Sequence, residues 1–119
     1  MRALGISLIA ALALAGGAAR AQDAVHGGAV FAKWCAPCHG DKKIGARWAH
    51  PATASLEVKY KGSKPAAVEQ RKDLPAPVLK VFIRNGAQSM PGFRKTEVSD
   101  ADIPDIAAYI AQTAARPAR

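Results

Sequence analysis

Cys35-Ala36-Pro37-Cys38-His39 is a Cys-x-x-Cys-His pentapeptide, the pattern through which c-type haem is attached. The reason is geometric. On a helical turn Cys35 and Cys38, three apart, turn their thiols the same way, so each can add to one haem vinyl group and form a thioether. His39 follows four residues after Cys35 and rises on that face, as an axial ligand to the iron requires. These are the only two cysteines in the chain. Other readings are weaker. A disulfide across so small a loop stabilises little. A thioredoxin-like pair expects a βαβ context that is missing. A zinc site would have to recruit His26, His39 or His50 at unusual spacings.

Upstream of the pentapeptide, residues 25–33 read as a first helix, with Val25, Val30, Phe31 and Trp34 apolar. Gly27 and Gly28 lie inside it, each costing about 1 kcal/mol against alanine. They read either as a close crossing point for another helix or as a frayed helix start. Phe31, four before Cys35, is expected to cover the haem side of that crossing.

Downstream, residues 40–47 read as a polar loop with Lys42, Lys43 and Arg47, and Trp48-Ala49-His50-Pro51 follows. Residues 54–60 fit either a turn of helix or an extended piece, ahead of a basic loop over residues 59–65. Tyr60 and Arg71 read either as hydrogen-bond donors to a haem propionate or as an exposed tyrosine and a solvated arginine. Asp73-Leu74-Pro75 opens another helix, with Asp73 as N-cap and Pro75 in the first turn. Val78, Leu79, Phe82 and Ile83 form its apolar stripe, and Asn85-Gly86 ends it.

A long loop then carries Met90, between Ser89 and Pro91. A haem bound through one histidine has an open opposite face, which in many such proteins a methionine sulfur closes, raising the reduction potential. Of the two methionines, Met1 belongs to the leader described next, which leaves Met90 as the second axial ligand. Ser99 caps a last helix with Asp100 and Asp102 at its positive end, and Ile103, Ile106, Tyr109 and Ile110 form its buried stripe. Pro104 is too far in for a helix starting at Asp100. Either the first turn is distorted, or the helix starts later, capped by Asp102.

The chain opens with Met1-Arg2, an apolar run over residues 3–15 and an Ala19-Arg20-Ala21 end, the form of a secretory leader cleaved after Ala21. The apolar run is short for a membrane span, so the mature protein is expected to be soluble and periplasmic, without an anchor. Cutting 21 residues from 119 leaves 98, residues 22–119, enough for one domain. The leader takes two arginines and no acids, lowering the net charge from +8 to +6. A basic surface of this degree suggests an acidic protein partner. Nucleic acid is excluded by export and by the lack of a basic stripe interleaved with aromatics.

These features together resemble the class I cytochromes c over the whole mature domain. The resemblance implies an all-α fold of a few short helices wrapped around one covalent haem c. It also implies that the first and last helices cross at Gly27 or Gly28 against Ile106 and Tyr109. Pro51, twelve residues past His39, stands at the spacing of the proline whose carbonyl orients the proximal histidine, a type of support that fixes tautomer and ring orientation. Four stretches carry a closer likeness: residues 30–35, 56–62, 69–74, and 81–86 continuing through Met90-Pro91 and 93–97. They are similar to the cytochrome subunit of the p-cresol methylhydroxylase-type flavocytochromes. Two departures stand out, Gly92 where an aromatic is expected and Pro104 in the last helix.

That likeness implies no catalysis by this chain alone. It would accept electrons one at a time from the FAD of a partner flavoprotein that oxidises 4-alkylphenols, and pass them to a soluble acceptor such as azurin. Docking is expected near the Met90 loop, with Arg94 and Lys95 among the contacts. The alternatives are a free periplasmic electron carrier with the same haem chemistry, and a haem enzyme or gas sensor with an open sixth position.

Overall fold

The structure is a computed structural model that describes residues 20–116. Apart from Arg20 and Ala21, the expected leader lies outside the described residues. Five α-helices, one 3-10 turn and one small hairpin follow in chain order.

Helix α1 spans Ala24–Trp34. Asp23 caps it, its carboxylate accepting from the N–H groups of Val25 and His26 at 3.0 and 2.9 Å. The final helix, α5, spans Asp102–Ala114. The two cross at the glycine pair. A Cβ on Gly27 would stand 1.9 Å from the Asp105 carbonyl oxygen, and one on Gly28 would stand 2.9 Å from the Tyr109 ring. The glycines therefore serve a close crossing, and the helix starts ahead of them without fraying. Phe31 is 2 % exposed, and its ring lies 5.3 Å from that of Tyr109.

The start of α5 meets one expectation for it, a later start than Asp100, but its N-cap is Ala101 and not Asp102. Ser99 Oγ accepts from the Asp102 N–H at 3.2 Å, while the Ser99 N–H donates to the Asp102 carboxylate at 2.7 Å. This reciprocal pair closes the turn that leads into the helix. The regular helix begins at Asp102, which leaves Pro104 in its first turn, where a missing N–H is harmless.

Helix α4 spans Ala76–Asn85 and packs on α5 through Leu79 and Ile83. Val98, Ile103, Ile106 and Ile110 complete the core around Phe31. One expectation for α4 fails. Asp73 does not cap it: its carboxylate is taken by Arg71 and Lys64, and the helix starts behind Pro75 with no side-chain cap. The apolar stripe divides in two, with Leu79 and Ile83 in the core. Val78 and Phe82 remain 37 % and 41 % exposed, with Val81 beside them.

The segment after the pentapeptide is also more ordered than a polar loop. Strands β1 (Lys43–Ile44) and β2 (Arg47–Trp48) pair antiparallel. Gly45 takes φ +62 at the first turn position, where a tight hairpin favours glycine. Helix α3 then spans Pro51–Tyr60, longer than the sequence pattern indicated. Proline suits its first position, because a helix N-terminus has N–H groups without partners anyway. The 3-10 turn Val68–Gln70 sits against α5, where Tyr109 donates to the Glu69 carboxylate and Thr113 to the Glu69 carbonyl at 2.8 Å.

Candidate haem site

The pentapeptide forms the junction of α1 with the four-residue helix α2, Ala36–His39. The chain kinks at Cys35, whose carbonyl accepts from the N–H groups of Cys38 and His39 at 3.1 and 2.8 Å. Both thiols are free, Cys38 exposed and Cys35 half-buried. Burial, and after it the neighbouring Cys38, pushes the Cys35 thiol up to about 11, so it stays protonated at neutral pH. Burial lowers the His39 pKa, which favours the neutral imidazole that binds iron. His39 Nδ1 is buried without a hydrogen-bond partner among the described residues.

The Pro51 carbonyl stands at the start of the helix that follows the attachment turn. It accepts from Ser55 Oγ at 3.0 Å, which leaves its second lone pair free. The start of α3 offers two contacts of another kind. Thr53, fully buried, donates its hydroxyl to the Gly40 carbonyl at 2.8 Å. His50 Nδ1 donates to the Pro37 carbonyl at 3.2 Å. Sequence reading missed both contacts.

Met90 is half-buried in the loop after α4. That loop is fastened at several points. Met90 and Ala87 exchange backbone bonds of 3.0 and 2.9 Å, the Phe93 N–H donates to the Ile83 carbonyl at 2.6 Å, and Arg84 donates to the Phe93 carbonyl at 3.1 Å. Gly86 and Gly92 permit this folding. A Cβ on Gly86 would come within 2.3 Å of the Met90 carbonyl, and one on Gly92 within 2.5 Å of the Arg84 carbonyl. Gly92 is thus a close-approach residue, and the aromatic of the loop is Phe93, which meets Trp34 beside Cys35.

Tyr60 and Arg71 are brought together, with the guanidinium 4.9 Å from the phenol ring centre. Hydrogen bonding to Arg71 is the main cause that holds the Tyr60 phenol below its ordinary value. Arg71 is buried and pairs with Asp73 through Nε at 2.5 Å and Nη2 at 2.8 Å. That pairing keeps the Asp73 carboxyl well below the usual range.

These residues fit a c-type haem. Two unbridged thiols flank a turn that ends in a half-buried imidazole, whose Nδ1 is buried without a partner among the described residues. Val78, Val81 and Phe82 leave an exposed apolar strip on α4 at helical spacing. Among the described residues no group of three or more His, Cys, Asp and Glu could hold a bare metal ion, so nothing supports the zinc reading. The arrangement of α1 crossing α5, a Cys-x-x-Cys-His turn and a late methionine loop is that of a class I cytochrome c.

Comparison with known proteins agrees. The family model for cytochrome c oxidase, cbb3-type, subunit III matches residues 22–110. A cytochrome c6 of Synechocystis is 38 % identical over 99 residues, covering 80 % of this chain and 69 % of the relative. A cytochrome c-552 of Bradyrhizobium diazoefficiens is 35 % identical over 106 residues, 89 % of each chain. A second cytochrome c6, from Picosynechococcus, is 32 % identical over 112 residues, 94 % of this chain and 92 % of the relative. The chain belongs to the cytochrome c family, and its cofactor is one covalently bound haem c. It is a small electron-transfer cytochrome, and among the described residues no helix is long and apolar enough to cross a membrane.

Proposed function

We propose that this protein is a free, exported one-electron carrier of the periplasm. The observation that carries the reading is the pair of free thiols on the turn that ends in His39. In this reading Cys35 and Cys38 hold the haem as thioethers, and His39 and Met90 are its axial ligands. The bound haem supplies a single-electron couple, its potential governed chiefly by axial ligand identity. The chain's own task is then positional. The α2 turn orients the imidazole, the fastened loop presents the methionine sulfur, and the α4 strip excludes water from the macrocycle. Tyr60 and Arg71 are the donors proposed for a propionate, with Arg71 held in place by Asp73.

The relatives, by name a cytochrome c-552 and two cytochromes c6, support a carrier over a flavoprotein subunit. The flavocytochrome reading rests on the four stretches quoted above and remains the second proposal. Charge placement bears on either partner. Around the Met90 loop, Lys80, Arg84 and Lys95 all pair with Asp100, and Arg94 pairs with Glu97. The hairpin cations Lys42, Lys43 and Arg47 have no ion pair among the described residues. An acidic partner is therefore drawn more to the hairpin than to Arg94 and Lys95, which sequence reading favoured.

Periplasmic expression and haem staining after denaturing electrophoresis test the core of the reading. Haem extracted by acidified organic solvent would refute covalent attachment. Co-expression with any flavoprotein encoded beside this chain, followed by gel filtration, separates the two roles. Separate elution is expected, and a stable complex at micromolar concentration would replace the carrier with the subunit.

A further inference from the structure

We propose that the Asp105 carboxylate is the docking site for the amino terminus that leader removal creates, taking the Gln22 ammonium in place of the Arg20 guanidinium. The assignment rests on cleavage after Ala21.

Among the described residues Asp105 is the one acidic side chain that is fully buried, at 0 % exposure. It lies in the first turn of α5, where a helix N-terminus favours negative charge. Both its oxygens are engaged by the segment that leads into α1. Oδ1 accepts from the Asp23 N–H at 2.8 Å, and Oδ2 accepts from Arg20 Nη2 at 2.9 Å. Arg20 Nη1 also reaches the Ala101 carbonyl at 3.4 Å. Among the described residues Arg20 is the only ion-pair partner of Asp105. A buried charge is costly without a counter-charge, and removing one member of such a pair is strongly destabilising.

This cation stands on the wrong side of the cut. Hydrolysis of the Ala21–Gln22 bond removes Arg20 with the leader, and the same reaction supplies its replacement. Water adds across the peptide bond, leaving a carboxylate on Ala21 and an ammonium on Gln22. That nitrogen lies one residue before the Asp23 N–H, which already touches the carboxylate, and one residue spans about 3.8 Å. Gln22 is exposed, so its amine is free to turn onto Oδ2 once the guanidinium has gone. The neighbouring acids are engaged elsewhere, Asp23 as the cap of α1 and Asp102 with His26. One cation thus replaces another, and the start of α1 stays fastened to α5 beside the glycine crossing.

Mass spectrometry of the amino-terminal peptide of periplasmic holoprotein should show a start at Gln22 with a free amine. Any other start refutes the leader reading and the proposal with it. A Gln22 start closed to pyroglutamate by loss of ammonia carries no charge, and overturns the proposal alone. The free amine should react with acetic anhydride at neutral pH about tenfold more slowly than that of a peptide of residues 22–27, because an adjacent opposite charge holds it protonated. Asp105→Asn keeps the shape and should restore the rate of the peptide, whereas Asp102→Asn should not. Acetylating the amine should lower the denaturation midpoint of the wild type and leave that of Asp105→Asn unmoved. Equal rates in wild type and Asp105→Asn, an equal gain in Asp102→Asn, or an equal loss of midpoint in wild type and Asp105→Asn overturns the proposal. If Asp105→Asn does not fold, the wild-type rate still decides, and an amine as reactive as that of the peptide overturns it.

Discussion

The rings of Trp34 and Phe93 meet edge to face with centroids 6.0 Å apart. Trp34 immediately precedes Cys35, and Phe93 lies three residues after Met90, so this contact ties the attachment turn to the methionine loop. Edge-to-face aromatic pairs contribute about 0.5–1.5 kcal/mol beyond the area they bury. Phe93→Ala should destabilise the protein by about 2 kcal/mol in denaturant titration. It should also weaken the near-infrared band of methionine-ligated ferric haem. A full-strength band in that variant would show that the loop is held without Phe93.

Met90→Ala should abolish that near-infrared band and lower the reduction potential, since a thioether ligand favours the ferrous state. Carbon monoxide, which the wild type should resist, should then bind the reduced variant readily. A wild type that binds carbon monoxide at once would favour the open-site alternative.

Tyr109 gives the alkaline limit. Burial first, and then the Glu69 carboxylate that accepts its proton, push its phenol up to about 12 from an ordinary 10. A group whose folded pKa is raised contributes stability that is whole below the unfolded value and lost as pH rises through the folded one. Denaturation midpoints should therefore fall between about pH 10 and 12, and Tyr109→Phe should flatten the fall in that window. An equally steep decline in the variant would place the alkaline sensitivity elsewhere.

Gly27→Ala forces a methyl against the Asp105 carbonyl, where backbone cannot yield cheaply. Overpacking usually costs about 1–3 kcal/mol, and a clash with backbone belongs at the upper end. The expected loss is about 3 kcal/mol, with haem retained in the folded fraction. Gly28→Ala meets only a ring face and should cost less.

The sequence was most legible where function is written in short, local patterns. The pentapeptide declares itself within a few residues, whereas the glycine pair left two readings open that only the contact with α5 decides. The exposure of Val78 and Phe82 was not legible, because a helical period gives the width of an apolar stripe and not what covers each half of it. Asp73 was misread because a carboxylate suits a helix N-terminus and an arginine equally well, and only Arg71 folded nearby decides. The hairpin has strands of two residues, too short for any alternation to appear. Thr53 and His50 each meet their partners 13 residues upstream. Such bonds depend on how α3 folds back, which no local pattern encodes.

The crossing of α1 with α5 also sets the order of assembly. The Asp23 N–H reaches the Asp105 carboxylate at 2.8 Å, across a separation of 82 residues. Nearly the whole chain must be delivered before its first helix finds a partner, and closing so long a loop carries an entropic cost that only the finished core offsets. In the proposed reading, Cys35 and Cys38 would receive their haem while this loop is still unclosed. A chain stopped before residue 102 should remain a substrate for attachment and never become a compact domain. In that reading the last helix would be the latch that ends the period of maturation.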